Sequence, residues 1–266
     1  RVLFRSVFAP LTLASVALNG QDPRVAQDSV ALTVMSPPGP VHVDIDPTAS
    51  TKPSSRRTPS PTDPAKLLDQ VAQARRPVII AGLGMVAMPP ERRRAATAAL
   101  RALANEHHVP VLTTYNARGV VADDAEYAAG IVTGGTIERH ALNDADLIIG
   151  LGFDPVELLP ADWDHPAPLV LAAEWPIEDS EFFGEAVTAD CVGNLDELIP
   201  RISSALSTQW SQGSGRRYWD LLMTAVRSSS VDDPRGLAPR EVVDIASEVA
   251  PDGAIATVDA GAHMLV

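Results

Sequence analysis

Apolar residues recur at helical spacing over Asp22–Ser36, at Val25, Val30, Leu32 and Met35, and the run stops at Pro37-Pro38-Gly39, which cannot continue a helix. A strand, PVHVDI, is expected over Pro40–Ile45. From Asp63 onward the pattern alternates. A helix is predicted over Ala65–Gln73, then a strand over Pro77–Gly84, then a helix that opens after Pro89-Pro90 and runs to His107 or His108. Proline suits that opening turn, where its missing N–H has no helical partner to lose. Strands Val109–Tyr115, Asp146–Gly152, Pro168–Ala173 and Glu185–Asp190 follow, with helices near Ile137–Asn143 and over Leu195–Leu206. The strands are apolar at successive positions, not at every second one, so both of their faces must be buried. With helices between them, this predicts an α/β fold, a doubly wound parallel sheet covered on both sides.

The remaining stretches are punctuation or partial units. Thr48–Thr62 is rich in Pro, Ser and Thr, carries Arg56 and Arg57, and reads as a solvated linker. Ser207–Gly236 reads as a second linker, flexible at Ser211–Gly215, with a short helix over Arg217–Val226. Pro239–Val249 is amphipathic and helical, and leads into an expected strand over Ala254–Asp259. That pair has the form of the first helix and strand of another α/β unit. A chain that opens on Arg1 and stops at the apolar Val266 reads as a section of a longer protein.

Composition narrows the function classes. At 266 residues the chain can hold one large core or two small ones, and a 45% hydrophobic content excludes a disordered chain. Acidic residues outnumber basic ones 34 to 21, a net charge of −13, which argues against a nucleic-acid partner. The lone cysteine, Cys191, excludes an internal disulfide framework and fits a reducing cytoplasm. Val2–Gly20 is basic and then apolar, as a secretory leader is, but Arg5 and Pro10 interrupt it and no clean cleavage site follows. No run approaches the roughly 18 apolar residues of a membrane span.

Candidate chemistry is sparse. Gly82-Leu83-Gly84-Met85-Val86-Ala87 fits the glycine pattern of a dinucleotide loop, in which small residues after a strand let backbone N–H groups approach an anion. The next helix starts late, near Pro90, and the following strand ends Thr113-Thr114-Tyr115-Asn116 without a carboxylate for a ribose. A glycine turn required only for close packing accounts for the motif equally well. His107 and His108 are expected to cap a helix C-terminus, His42 to sit on a short strand, and none has partners at metal-ligand spacing. The run Arg92–Arg94 reads as the solvated face of a helix, and Cys191 has no activating neighbour.

The order of blocks is more specific than any one motif. PPGPVHVDI, RPVIIAGLGM, VPVLTTYNARGVV, ADLIIGLGFD and TVDAGAH together resemble the thiamine-diphosphate-dependent decarboxylase and carboligase superfamily, particularly its acetolactate-synthase-like members. The resemblance implies a remnant of the pyrimidine-binding domain over 1–47, a linker over 48–62, the Rossmann-like central domain over 63–207, a linker over 208–236, and the start of the diphosphate-binding domain over 237–266. It implies thiamine diphosphate and Mg2+ as cofactors of the parent enzyme, a 2-oxo acid substrate, a homodimer or homotetramer, and no nucleic-acid or membrane partner. Ala260, Gly261, Ala262 and His263 match the segment that approaches the cofactor's diphosphate. The family's activating glutamate falls before Arg1 and its GDG…N magnesium segment after Val266, so this chain is expected to be inactive alone. FAD is a possible but not a favoured ligand, at Gly82, Gly84, Thr113 and Thr114, because Gly152-Phe153-Asp154-Pro155-Val156 lacks the two arginines of the family's flavin stretch. The alternative is a stand-alone FAD- or NAD-binding module of sirtuin-like topology, or a non-catalytic scaffold subunit.

Overall fold

Six strands lie parallel in one sheet of order β5-β4-β3-β6-β7-β8, buried on both faces except at the edge strand β8, where Asp190 is exposed. They are β3 (Pro77–Ala81), β4 (Val111–Thr113), β5 (Ala128–Ile131), β6 (Leu147–Leu151), β7 (Leu169–Ala173) and β8 (Val187–Val192). Every residue of β3, β6 and β7 is buried. The computed structural model describes residues 11–18, 23–34, 37–45, 61–159, 162–177, 180–228 and 236–255. It divides into two compact units, residues 1–220 and 221–266.

The sheet's two faces are covered differently, and alternation along each strand decides which side chain goes where. Ile79 and Ala81 of β3 and Ile149 and Leu151 of β6 face a layer built from α2 (Ala65–Gln73), α3 (Pro90–His107) and α5 (Leu195–Ala205). Leu67 and Val71 of α2, Ala96, Leu100 and Leu103 of α3, and Leu198, Ile199 and Ile202 of α5 complete that core. Val78, Ile80, Ile148, Leu169 and Leu171 face the opposite side, against Ala141 and Leu142 of the short α4 (Arg139–Asn143), Phe153, Phe183 and Tyr218.

In the same unit, β1 (Ala14–Leu18), α1 (Pro23–Leu32) and β2 (Val41–Ile45) form a small parallel β-α-β unit, with Ala14 paired to Val41 and Ser15 to His42. The Ser15 hydroxyl lies 3.0 Å from His42 Nδ1, as a strand histidine with a polar neighbour should. The stretch resembling a leader thus supplies a strand at Ala14–Leu18. In the second unit α7 spans Pro239–Val249, opened by Glu241 accepting the Ala238 N–H at 2.7 Å. Residues 46–60, most of the expected first linker, and 256–259 of the expected last strand lie outside the described residues.

Several expectations need correction. Strand β5 was not anticipated: it is four residues long and interrupted by Gly130, at φ 126°, so it carries little strand signature of its own. The last strand begins at Val187, not Glu185, because Ser180–Ala186 is wound into 3-10 turns. Arg92 is not part of a solvated run. Its guanidinium donates twice to Glu174 at 2.8 Å and also bonds Asp196, joining α3 to the ends of β7 and α5. Glu174, its side chain only 3% exposed, also accepts the Leu195 N–H at 2.7 Å, holding the first turn of α5. Arg93 and Arg94 remain exposed.

Part of the second expected linker is likewise bound down. Gln209 N–H donates to Arg75 O (2.7 Å), Trp210 Nε1 to Pro77 O (2.7 Å), and Tyr218 Oη to Asp144 (2.7 Å). Burial, and then the Asp144 carboxylate, push the Tyr218 phenol up to about 12. These anchors lead into α6 (Ser214–Ser228), longer than the short helix expected. No described helix is long and apolar enough to cross a membrane.

Because removing one partner of a buried ion pair strands the other, Arg92→Met should cost about 3 kcal/mol in urea unfolding, and Arg92→Met/Glu174→Leu should recover much of that loss. Equal stability of Arg92→Met and wild type would show the guanidinium to be a surface group.

Candidate functional site

From β3 the chain builds outward through β4 and β5, then returns to the other flank of β3 for β6, β7 and β8. The carboxyl ends of β3 and β6 therefore border the crevice at which open α/β sheets bind ligands. The expected cofactor-turn residues converge there. Gly82 and Gly84 form the turn after β3, Thr113 ends β4, and Thr114 follows it, its N–H donating to Ala81 O at 3.0 Å. Both threonines are buried.

The glycines are there because two main chains touch. Gly84 N–H donates to Gly152 O at 2.8 Å and Gly82 N–H to Leu151 O at 3.0 Å. A Cβ on Gly84 would lie 2.6 Å from Gly152 Cα, and one on Gly152, whose φ is +58°, 2.6 Å from Gly84 Cα. No side chain fits between the two strands' exits.

The turn also has an occupant. Asp154 accepts the Val156 N–H at 3.0 Å and so opens the short turn Pro155–Glu157, which folds Glu157 back over the crevice. Glu157 Oε2 accepts the Leu83 N–H at 2.8 Å, and Oε1 accepts the Thr114 hydroxyl at 2.5 Å and the Asn116 amide at 3.3 Å. Burial pushes the Glu157 carboxyl above the ordinary glutamate range, against the opposing pull of those donors. A carboxylate of the chain itself thus holds the backbone donor that a ligand's phosphate would use. With that donor engaged, the glycines consumed by chain contact, and no arginine in Gly152–Val156, the crevice does not fit a flavin or nicotinamide dinucleotide.

Glu157 was not singled out from the sequence. It lies one residue past the Gly152–Val156 stretch, and a lone acid after a proline turn carries no motif. Ala260, Gly261, Ala262 and His263 lie outside the described residues. Among the described residues no group of three or more His, Cys, Asp or Glu could hold a metal ion. His108 takes a left-handed conformation (φ 56°) as the C-cap of α3, and His107 Nε2 lies 3.2 Å from Ser203 Oγ of α5. Burial pushes the Cys191 thiol up, which keeps it protonated and unreactive.

Residues 64–172 match the family described as "Thiamine pyrophosphate enzyme, central domain". An acetolactate synthase of Mycobacterium bovis is 28% identical over 226 residues, covering 81% of this chain and 34% of that protein. A glyoxylate carboligase of Escherichia coli O157:H7 is 31% identical over 149 residues, covering 49% of this chain and 23% of that one. A solved structure from Mycobacterium smegmatis superposes with a TM-score of 0.52 at 20% identity, over 74% of this chain and 40% of its own. At that identity the likeness speaks to the fold. The chain spans about a third or less of the length of these curated relatives.

Two outcomes test the crevice. Gly84→Ala should lose about 3 kcal/mol, the upper range for overpacking, because its Cβ meets backbone that cannot yield. With its carboxyl raised in the fold, Glu157 binds a proton more tightly folded than unfolded, so its contribution to stability falls as pH rises through the raised value. Wild type should therefore gain stability relative to Glu157→Gln as pH is lowered from 7 toward 4. A difference independent of pH would contradict a carboxyl raised by the fold.

Proposed function

We propose that this chain, whose residues 64–172 match the family described as "Thiamine pyrophosphate enzyme, central domain", is a section of a cytoplasmic thiamine-diphosphate-dependent enzyme. That enzyme decarboxylates a 2-oxo acid or ligates its two-carbon fragment to an acceptor. The observation that carries the reading is the match of the doubly wound domain to that family, together with relatives described as acetolactate synthase and glyoxylate carboligase. The class fits lyase or transferase chemistry on small 2-oxo acids.

In this reading the domain organisation is the one expected from the blocks: a pyrimidine-domain remnant over 1–47, the central domain over 63–207, and the start of the diphosphate domain over 237–266. Two features support the outer assignments. Among the described residues, the core of the β-α-β unit of β1, α1 and β2 consists of Ala14 and Leu32, with Val41 packed against them. Helix α7 exposes Val242, Val243, Ile245 and Val249, an apolar set that a larger domain would bury. Thiamine diphosphate, when bound, supplies the electron sink for the carbanion formed on loss of carbon dioxide. Ala260, Gly261, Ala262 and His263 would line its diphosphate, small residues allowing close backbone approach and the imidazole donating to a phosphate oxygen. Mg2+ and the activating glutamate belong to segments beyond these 266 residues, and the working assembly is a homodimer or homotetramer. The central domain's own part is scaffolding, since its switch-point crevice is filled by Glu157.

The test is carbon dioxide release from pyruvate and glyoxylate with thiamine diphosphate and Mg2+. The product of the native reading frame should turn over one of these substrates, with activity lost on removing either cofactor, while the 266-residue chain gives only background. A native product without thiamine-diphosphate-dependent turnover, or turnover by the 266 residues alone, would overturn the proposal.

A further inference from the structure

On the outer side of α3, a groove of about 530 Å³ runs between that helix and the loop after β4. Four guanidiniums line it, those of Arg93, Arg94, Arg101 and Arg118, and no carboxylate does. In a chain of net charge −13 that concentration of one sign is unusual. Helical spacing puts Arg93, Thr97 and Arg101 on one row and Arg94 and Ala98 on the next, so the charges share a face.

The four cations differ in how their charge is used. Arg101 is fixed, with Nε donating to Val120 O at 2.7 Å and Nη2 to Gly119 O at 2.8 Å. Those carbonyls orient the fork without neutralising it. Arg118 is offset by Asp123 at 2.5 Å. Arg93 and Arg94 make no ion pair and no side-chain hydrogen bond among the described residues, while the neighbouring Arg92 is fully engaged by Glu174 and Asp196. Forked guanidiniums match phosphate oxygens in pairs, and Thr97 adds a hydroxyl donor beside them. Val86 adds an apolar wall.

We propose that this groove binds a small phosphate-bearing anion, a diphosphate or nucleoside diphosphate, through Arg93, Arg94 and the pinned Arg101. The site shares none of Gly82, Gly84, Thr113, Thr114 or Glu157 with the switch-point crevice, and it does not depend on the thiamine-diphosphate reading.

The experiment is calorimetric titration of the 266-residue chain with pyrophosphate and, separately, ADP, at low and near-physiological ionic strength. One site is expected, weakened by salt, and Arg93→Ala/Arg94→Ala should lower affinity at least about tenfold, as loss of one or more charge-assisted bonds implies. Thr97→Glu, which adds a carboxylate to the groove, should abolish binding without altering the circular dichroism spectrum, and it serves if the double variant folds poorly. Tighter binding of ADP than of pyrophosphate assigns the Val86 wall to a nucleoside, whereas equal binding assigns the site to the diphosphate alone. Binding unchanged in both variants overturns the proposal. So does binding of poly-glutamate with none of pyrophosphate, since that would make the groove a docking surface for an acidic polypeptide.

Discussion

The central domain is organised around the place where the exits of β3 and β6 cross at van der Waals distance. Strand order puts these two strands side by side and sends their connections in opposite directions, so the chain must turn sharply on both at one point. Only glycine fits there, because a Cβ on Gly84 or Gly152 would lie 2.6 Å from the other strand's backbone. The contact fixes where Pro155–Glu157 starts, and that turn aims Glu157 at the Leu83 N–H. A crevice that could receive a ligand is thereby closed by a side chain from 74 positions away.

The same device recurs along the carboxyl edge of the sheet. Glu138, only 2% exposed, accepts the Gly134 N–H at 2.8 Å after β5. Glu174 accepts the Leu195 N–H after β7 and receives Arg92 as well. Loop amides in a low-dielectric setting need acceptors, and here carboxylates of the chain meet that need. This explains how the domain can bury Glu138 and Glu174 and half-bury Glu157: each is matched to N–H donors, and the most enclosed ion pair is bidentate.

What the sequence made legible follows from the range of the interactions concerned. Strands buried on both faces announce themselves by unbroken apolar runs, so β3, β6 and β7 were legible, and Pro89-Pro90 marked the start of α3. Strand β5 was not, since four residues with a mid-strand glycine are held by their neighbour β4 and not by local preference. The glycine turn was visible, with close packing as one of its two readings, but its partner Gly152 was not, because it lies far along the sequence. Arg92 looked solvated because its partners are 82 and 104 residues away. Gln209 and Trp210 looked like linker residues because their acceptors, Arg75 O and Pro77 O, belong to the start of the domain. Local periodicity gave the elements; long-range polar pairing, which has no period, decided the site.

The account turns on Glu157 holding the Leu83 amide. The direct measurement is a nuclear magnetic resonance titration that follows the Glu157 side-chain carboxyl carbon and the Leu83 amide proton in the same samples. The carboxyl should titrate above the ordinary glutamate range, and the Leu83 amide, slow to exchange, should shift with the same midpoint. An ordinary glutamate midpoint with a rapidly exchanging Leu83 amide that ignores it would mean that the crevice is open, and the domain would have to be reconsidered as a nucleotide site.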